Sequence, residues 1–504
     1  MKTPTSARLL FGGRRAFSFI AAAALFASTA SAATLDWNPT GGAGGDGIWS
    51  STATNWFDGT SNVGWTNSAD VANFLSFTGS NEVTLGALIT VQNLTLASGT
   101  GDVTLKDEAL TVNGTITGQT TRTLRIESDM ELAGTGVRTF AGIIDIAGVI
   151  SGSAQLWSST ATNVITLRSA NINTAGVFLR DGTLELGHDN ALGTGALRFG
   201  DSEPGTPTLR AINGPRTIAN DILSFMRAPQ FGSGFVTRTL DGDLTFTGNL
   251  SISRNNAGTA GLDQLYVLNT VNGTSTFTGN VTSNGDADRP VKLVKRGSGT
   301  LVFDHASNTA STAFAFGGVL VEQGTLLINS PFNDQDNYVI GGAGILGNAT
   351  LGGTSTISLT AGKSVTVQGT ATHSATIAPG NSVGTLTING DVIFGDYSVF
   401  SVEVDGATSD LLVVGGDLNL SSSLNTLTIV GTLTAETYTI ATYSGALTGT
   451  FATITGLGDY FINYGTGSDS EITLTAIPEP AHLGAILAAF CLAGVVILRR
   501  RIKA

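Results

Sequence analysis

Along most of this chain, apolar and polar residues alternate with a period of two. Leu240-Asp-Gly-Asp-Leu244-Thr-Phe246 and Thr183-Leu184-Glu185-Leu186 set their large apolar side chains on one side. Such alternation predicts strands with one face buried. Thr, Ser and Asn fill the other side, where β-branched residues suit a pleated surface. Gly and Asn interrupt the runs every few residues and supply turns that need positive φ. No amphipathic helix is expected between residue 33 and the C-terminal apolar run. The nearest candidate, Asp221 to Met226, is too short. The pattern predicts an all-β protein with many tight turns.

Turn-plus-strand units recur. Gly-Thr-Leu opens a predicted strand at Gly182, Gly299, Gly324, Gly384 and Gly431, and Gly-Asp-Leu or Gly-Asp-Val does so at Gly101, Gly242, Gly390 and Gly416. Successive Gly-Thr-Leu units lie 117, 25, 60 and 47 residues apart. The shortest step suits one coil of a parallel β-helix, and loops of varied length explain the longer ones. A string of β-sandwiches would space its units as irregularly, so both architectures remain open at this point.

Both ends break the pattern. Lys2, Arg8, Arg14 and Arg15 precede the apolar run Phe17 to Phe26, and Ala30-Ser31-Ala32 fits a signal-peptidase site. Residues 1–32 are therefore expected to be a signal peptide, with the mature chain starting at Ala33; an uncleaved anchor is the alternative. At the other end, Pro478-Glu479-Pro480 leads into an apolar run over 481–498, broken only by His482 and followed by Arg499, Arg500 and Arg501. Eighteen helical residues rise about 27 Å, enough for a bilayer core. The arginines stop transfer and stay on the cytoplasmic side.

Charge and cysteine content narrow the partners. Eight of the 25 basic residues lie before Ala33 or after Leu498, so 17 face the 38 acidic residues between those points, a net −21. No Lys or Arg occurs between Lys363 and Arg499. Such a surface opposes nucleic acid and anionic lipid, and keeps a protein soluble. The single cysteine, Cys491, lies in the tail run, so no internal disulfide or Cys-based metal site forms. A small apolar helix residue explains it better than an acylated or reactive thiol.

Longer stretches carry a family resemblance. Gly176-Val-Phe-Leu-Arg-Asp-Gly-Thr-Leu-Glu-Leu-Gly-His-Asp-Asn-Ala-Leu-Gly-Thr-Gly195 resembles the autotransporter-associated β-strand repeat. Gly297 to Phe303 with Val319 to Ile328 is similar to a second, interrupted copy. Ile377 to Leu386, Val402 to Asp405 and Asp410 to Val414 resemble the region that closes such passengers. The tail resembles the PEP-CTERM sorting signal. These resemblances cover about residues 176–480 and the tail. They imply a right-handed parallel β-helix and processing by an exosortase-type membrane enzyme near Pro478-Glu479-Pro480. No translocator barrel follows the repeats, so the chain departs from the autotransporters.

Candidate chemistry is sparse. Gly41 to Trp49 matches one calcium-binding nonapeptide, with Asp46 as ligand, but calcium in such rolls is shared between turns. Asp334 and Asp336 could hold a hard cation. His188, His305, His373 and His482 have no His or Cys partner at metal-ligand spacing. Asp241 and Asp243 would share a strand face, as a hydrolase or lyase pair might, yet acidic turn residues explain them without catalysis. Trp37, Trp49, Trp56 and Trp65 are four of five tryptophans. They read as an end cap or first coil, or alternatively as a sugar-stacking platform.

The expected organisation is a signal peptide over 1–32, a Trp/Gly-rich cap over 33–75, a solenoid over 76–475 and a sorting tail over 476–504. At about 4.8 Å per rung the rod would reach roughly 85–105 Å. The expected function is that of an exported, non-enzymatic cell-surface or matrix protein. It would be tethered to the inner membrane by its tail, then processed and released to the envelope, surface or medium. Expected partners are signal peptidase, the exosortase-type enzyme, the membrane and extracellular polysaccharide, with no cofactor. The alternative is a secreted polysaccharide-binding or polysaccharide-cleaving β-helix protein.

Overall fold

The computed structural model describes residues 33–39, 41, 44–67, 70–75, 79–97, 101–201, 205–226, 236–254, 264–283, 291–305, 316–333, 336–465 and 470–478. Ala30, Ala32, Glu479, Pro480, Arg499, Arg500 and Arg501 lie outside them, as do Asp334, His482, Cys491 and the apolar span 481–498. Among the described residues every regular element is a strand, and no helix is long and apolar enough to cross a membrane.

The strands stack into long parallel sheets, as in a β-solenoid. Each coil runs across three faces in turn. The first face is one parallel ladder from Gly47–Trp49 to Leu447–Gly449, seventeen described strands in all. The second carries Ile89–Val91 through Ile150–Gly152, then Arg216–Ile218 through Thr453–Thr455. In the gap between them, Asn171 and Asn173 continue the stacking without strand geometry: Ile172 and Thr174 donate to the carbonyls of Ile150 and Gly152. The third face runs from Thr34–Trp37 to Val281–Ser283 and resumes at Phe332–Asn333.

Register explains the alternation. Leu105, Ile126, Ile146, Leu167 and Leu186 stack in consecutive rungs of the first face, all fully buried or nearly so. Phe246, Phe277 and Phe303 do the same on the second face, with ring centroids 4.6 and 5.5 Å apart. Each such side chain contributes about 1.5–3 kcal/mol by leaving water, and a one-residue slip would turn the whole set outward. The 25-residue step is one coil, since Thr300 pairs with Thr325. Paired first-face residues lie 36 positions apart at Trp49 and Leu85, only 19 at Leu167 and Leu186, and 31 at Leu209 and Leu240. Sixteen steps of about 4.8 Å give roughly 77 Å, shorter than expected because loops lengthen the coils. Gly431 is a correction: it ends the strand Thr426–Gly431 instead of opening one.

Corners are held by side chains that reach one coil along. Asp102 accepts the backbone N–H of Thr123, Asp129 that of Val149, Asp243 that of Thr274, and Asp417 that of Ala446. Asn93, Asn171 and Asn337 do the same for Thr115, Ile150 and Ser364. Turns leave N–H groups without a ladder partner, and these oxygens satisfy them. Glycine is needed where coils touch. At Gly142 (φ 86°) an added Cβ would lie 2.4 Å from the carbonyl carbon of Gly118. Asn163 is a further bracket, 2% exposed. It accepts from Gly142 N–H and donates to Phe140 O and Ser158 Oγ. Asn163→Ala is expected to lower stability by about 2 kcal/mol, because buried groups lose their partners. Urea denaturation checks this, and an unchanged midpoint would contradict it.

Both ends are closed. At the start, Trp37, Trp49, Trp56 and Trp65 are at most 1% exposed; the first three pack with Phe74, and Trp65 packs on Trp49 and Trp56. Two short antiparallel strands, Trp56–Phe57 and Asn62–Val63, extend the third face there. At the other end Glu471–Ala476 lies antiparallel between Thr437–Tyr443 and Tyr460–Asn463. Tyrosines tie this end together: Tyr438 donates to Gly406 O, Tyr460 to Ala435 O and Tyr443 to Tyr464 O. Antiparallel closure leaves less open edge on that face for another chain.

Candidate functional site

Those expected site residues that lie among the described residues do not converge. Asp46 accepts the Glu82 N–H and so serves as a corner bracket. Asp336 lies between Lys363 at 2.9 Å and Lys292 at 3.8 Å, and these ammonium groups hold its carboxyl below the ordinary value against the opposing effect of burial. Among the described residues no three His, Cys, Asp or Glu side chains gather as a metal site. Asp241 and Asp243 part company at Gly242 (φ 89°), which turns the corner between two faces. Asp241 meets Arg210 Nε at 2.6 Å and Asn272 at 2.8 Å, while Asp243 brackets the next coil. The tryptophan rings are buried, so they offer no face to a sugar. His188 accepts the Asn190 N–H within a turn, and the His305 ring is buried against Phe332. Ala33 donates its N–H to the buried carboxylate of Asp70.

A concave region lies elsewhere, on the outer side of the second face. Thr274, Thr300, Thr325, Thr350, Thr376, Val399, Thr426 and Thr453 align in successive rungs. The strand Ser398–Asp405 crosses this column. Its even-numbered residues Ser398, Phe400, Val402 and Val404 are buried. Val399, Ser401 and Glu403 therefore face out, in line with Tyr397 just before the strand. Tyr397 is 39% exposed and holds φ at 54°, a left-handed conformation that is uncommon for an aromatic residue.

Two hollows flank the column. One, of about 370 Å³, lies between the turn Thr370–Ser374, Tyr397 and Leu424. The other, of about 230 Å³, lies between Asn381, Ser382, Glu403 and Asp410. Asp410 is 2% exposed, and its two oxygens accept the N–H groups of Gly384 and Glu403, each at 2.8 Å. Burial pushes its carboxyl up to about 6, against the pull of those two donors and with Glu403 adding to the rise. Both oxygens are thus committed to backbone, so Asp410 braces the 380–384 turn and leaves Glu403 as the exposed carboxylate. The arrangement offers hydroxyls, one ring and one anionic acceptor: chemistry for holding a polar neutral molecule. The sequence reading missed it, although Gly395-Asp-Tyr397 places a lone aromatic just before a clean alternating run.

Compared with known protein families and with curated proteins, the chain matches none.

Proposed function

We propose that this is an exported, non-enzymatic structural or adhesion protein of the cell surface or extracellular matrix. The observation that supports it best is how its acidic residues are used. Asp102, Asp129, Asp243, Asp410 and Asp417 accept backbone N–H groups, and Asp145, Glu185 and Asp241 join a ladder of ion pairs with Arg125, Arg168 and Arg210. These eight acids thus brace the rod, which supports a structural role. We read the solenoid as right-handed, the hand that right-twisted strands favour in parallel crossovers.

Export rests on the termini. Signal peptidase would cut after Ala32, and the ammonium freed on Ala33 would sit beside Asp70. The tail would span the inner membrane until an exosortase-type enzyme acted near Pro478-Glu479-Pro480. The prolines fix φ and bias Ile477 and Glu479 toward extended backbone, which a processing enzyme can grip. The expected result is a native mature protein that starts at Ala33 and lacks residues beyond the Pro-Glu-Pro segment. Replacing Pro478, Glu479 and Pro480 with alanine should leave the protein in the membrane. Mass spectrometry that recovers a C-terminus through Ala504 would replace sorting with a permanent anchor. The alternative role, secreted polysaccharide binding, draws support from the concave region of the second face.

A further inference from the structure

We propose that the outer side of the second face binds a short stretch of neutral linear polysaccharide, laid along the strand Ser398–Asp405 from Tyr397 to Glu403. This names a partner for the surface role above and rests on that reading.

Size, chemistry and charge each point to this occupant. Tyr397 and Glu403 are six residues apart on nearly extended backbone, roughly 20 Å at about 3.3 Å per residue. That length accommodates several sugars end to end, and the hollows at either side give a chain room to enter and leave. Between the ends the floor is Val399 and Ser401, with Thr376 and Thr426 on the neighbouring rungs. A sugar presents an apolar ring face and a rim of hydroxyls, and this floor matches both.

Tyr397 offers the broad aromatic surface. An amphipathic ring contributes large contact area at low entropic cost, which suits a sugar face. Its conformation adds weight. A non-glycine residue held in the left-handed region is strained, and such residues cluster at ligand sites. Tyr397 O accepts the Ala375 N–H, which helps to fix the turn with the ring outward. At the far end Glu403 is exposed and can accept hydroxyl hydrogens.

The charge selects against other polymers. No Lys or Arg is found between Lys363 and Arg499, the stretch that supplies the lining of both hollows apart from the neighbouring rungs at Thr325 to Thr350. An anionic polysaccharide or nucleic acid would meet Glu403 and a strongly negative chain with no cation to receive it. A neutral glycan meets no such barrier.

The test uses the full-length protein on an array of neutral linear oligosaccharides, with polygalacturonate as the anionic control. Binding to a neutral member is expected, with none to polygalacturonate. Tyr397→Gly should weaken it by about tenfold or more, while its melting temperature stays near wild type because glycine accepts this φ. Tyr397→Phe should retain it. Glu403→Ala should weaken it, and Thr139→Ala, on the third face, should not. A blank array overturns the proposal, and so does binding that Tyr397→Gly and Glu403→Ala leave unchanged. Surface retention of the same variants is measured in the native host. A blank array with the protein still at the surface rejects this site alone, whereas wild-type protein absent from the surface rejects the broader role.

Discussion

Trp56→Ala is expected to cost about 3–5 kcal/mol and to fray the first coils of the solenoid. Trp56 lies at the centre of the N-terminal cluster, with ring centroids 5.0 Å from Trp37, 4.7 Å from Trp49, 4.9 Å from Trp65 and 5.5 Å from Phe74. Its removal leaves a ring-sized void that four rigid neighbours cannot fill, and edge-to-face pairing adds to the loss. The cap is also where, among the described residues, the first coil has no preceding rung to pack on. In a solenoid each coil contacts only its neighbours, so damage should stay local at first. Amide exchange should accelerate over residues 33–97 well before the middle of the rod. Trp56→Phe keeps a ring and should recover much of the loss. Uniform exchange along the whole chain in Trp56→Ala would contradict a local cap.

Lys295 gives the largest expected effect of pH. It points inward from the strand Val291–Arg296, fully buried, with Nζ donating to Arg296 O, Gly297 O and Gln323 O at 2.7, 2.8 and 3.0 Å. It satisfies corner carbonyls as the aspartates satisfy corner N–H groups. Burial pushes the ammonium down to about 7 from 10.5. Between those limits the folded chain holds fewer protons than the unfolded chain, so stability from this group rises with pH and is lost as pH falls to 7. Wild type should therefore gain on Lys295→Met by up to about 1.4 kcal/mol per pH unit above neutrality. At about pH 10 the variant should be less stable by roughly 3 kcal/mol, since buried carbonyls lose a donor. Parallel pH profiles of the two proteins would reject this linkage.

Thr183-Leu184-Glu185-Leu186 and its relatives could be read directly, because a strand with one buried face leaves a period of two. The 25-residue step between Gly299 and Gly324 was equally readable as one coil. Other features depend on residues a coil away, and local pattern cannot reveal them. Asp241 and Asp243 look like a pair until Gly242 turns a corner between them. The same holds for Lys295 and Arg238, buried cations whose partners are carbonyls; Arg238 donates to Phe199, Val236 and Phe225. The tryptophans were readable as a cluster, but only packing distinguishes a cap from a platform. Tyr397 is not legible in local pattern, because its significance lies in a positive φ and in neighbours from the rungs on either side.

The pairing of each coil with the one before it has a consequence for how the rod can assemble. Most ladder partners are separated by only 19 to 31 residues, so a growing end needs just one more coil of chain to add a rung. Contacts of such limited sequence separation do not require the far end to be present. A chain emerging N-terminus first could settle its tryptophan cluster, use that as the template for the next coil, and wind forward as it appears. The order of residues along the chain would then also be the order of folding, with the tyrosine-tied end set last.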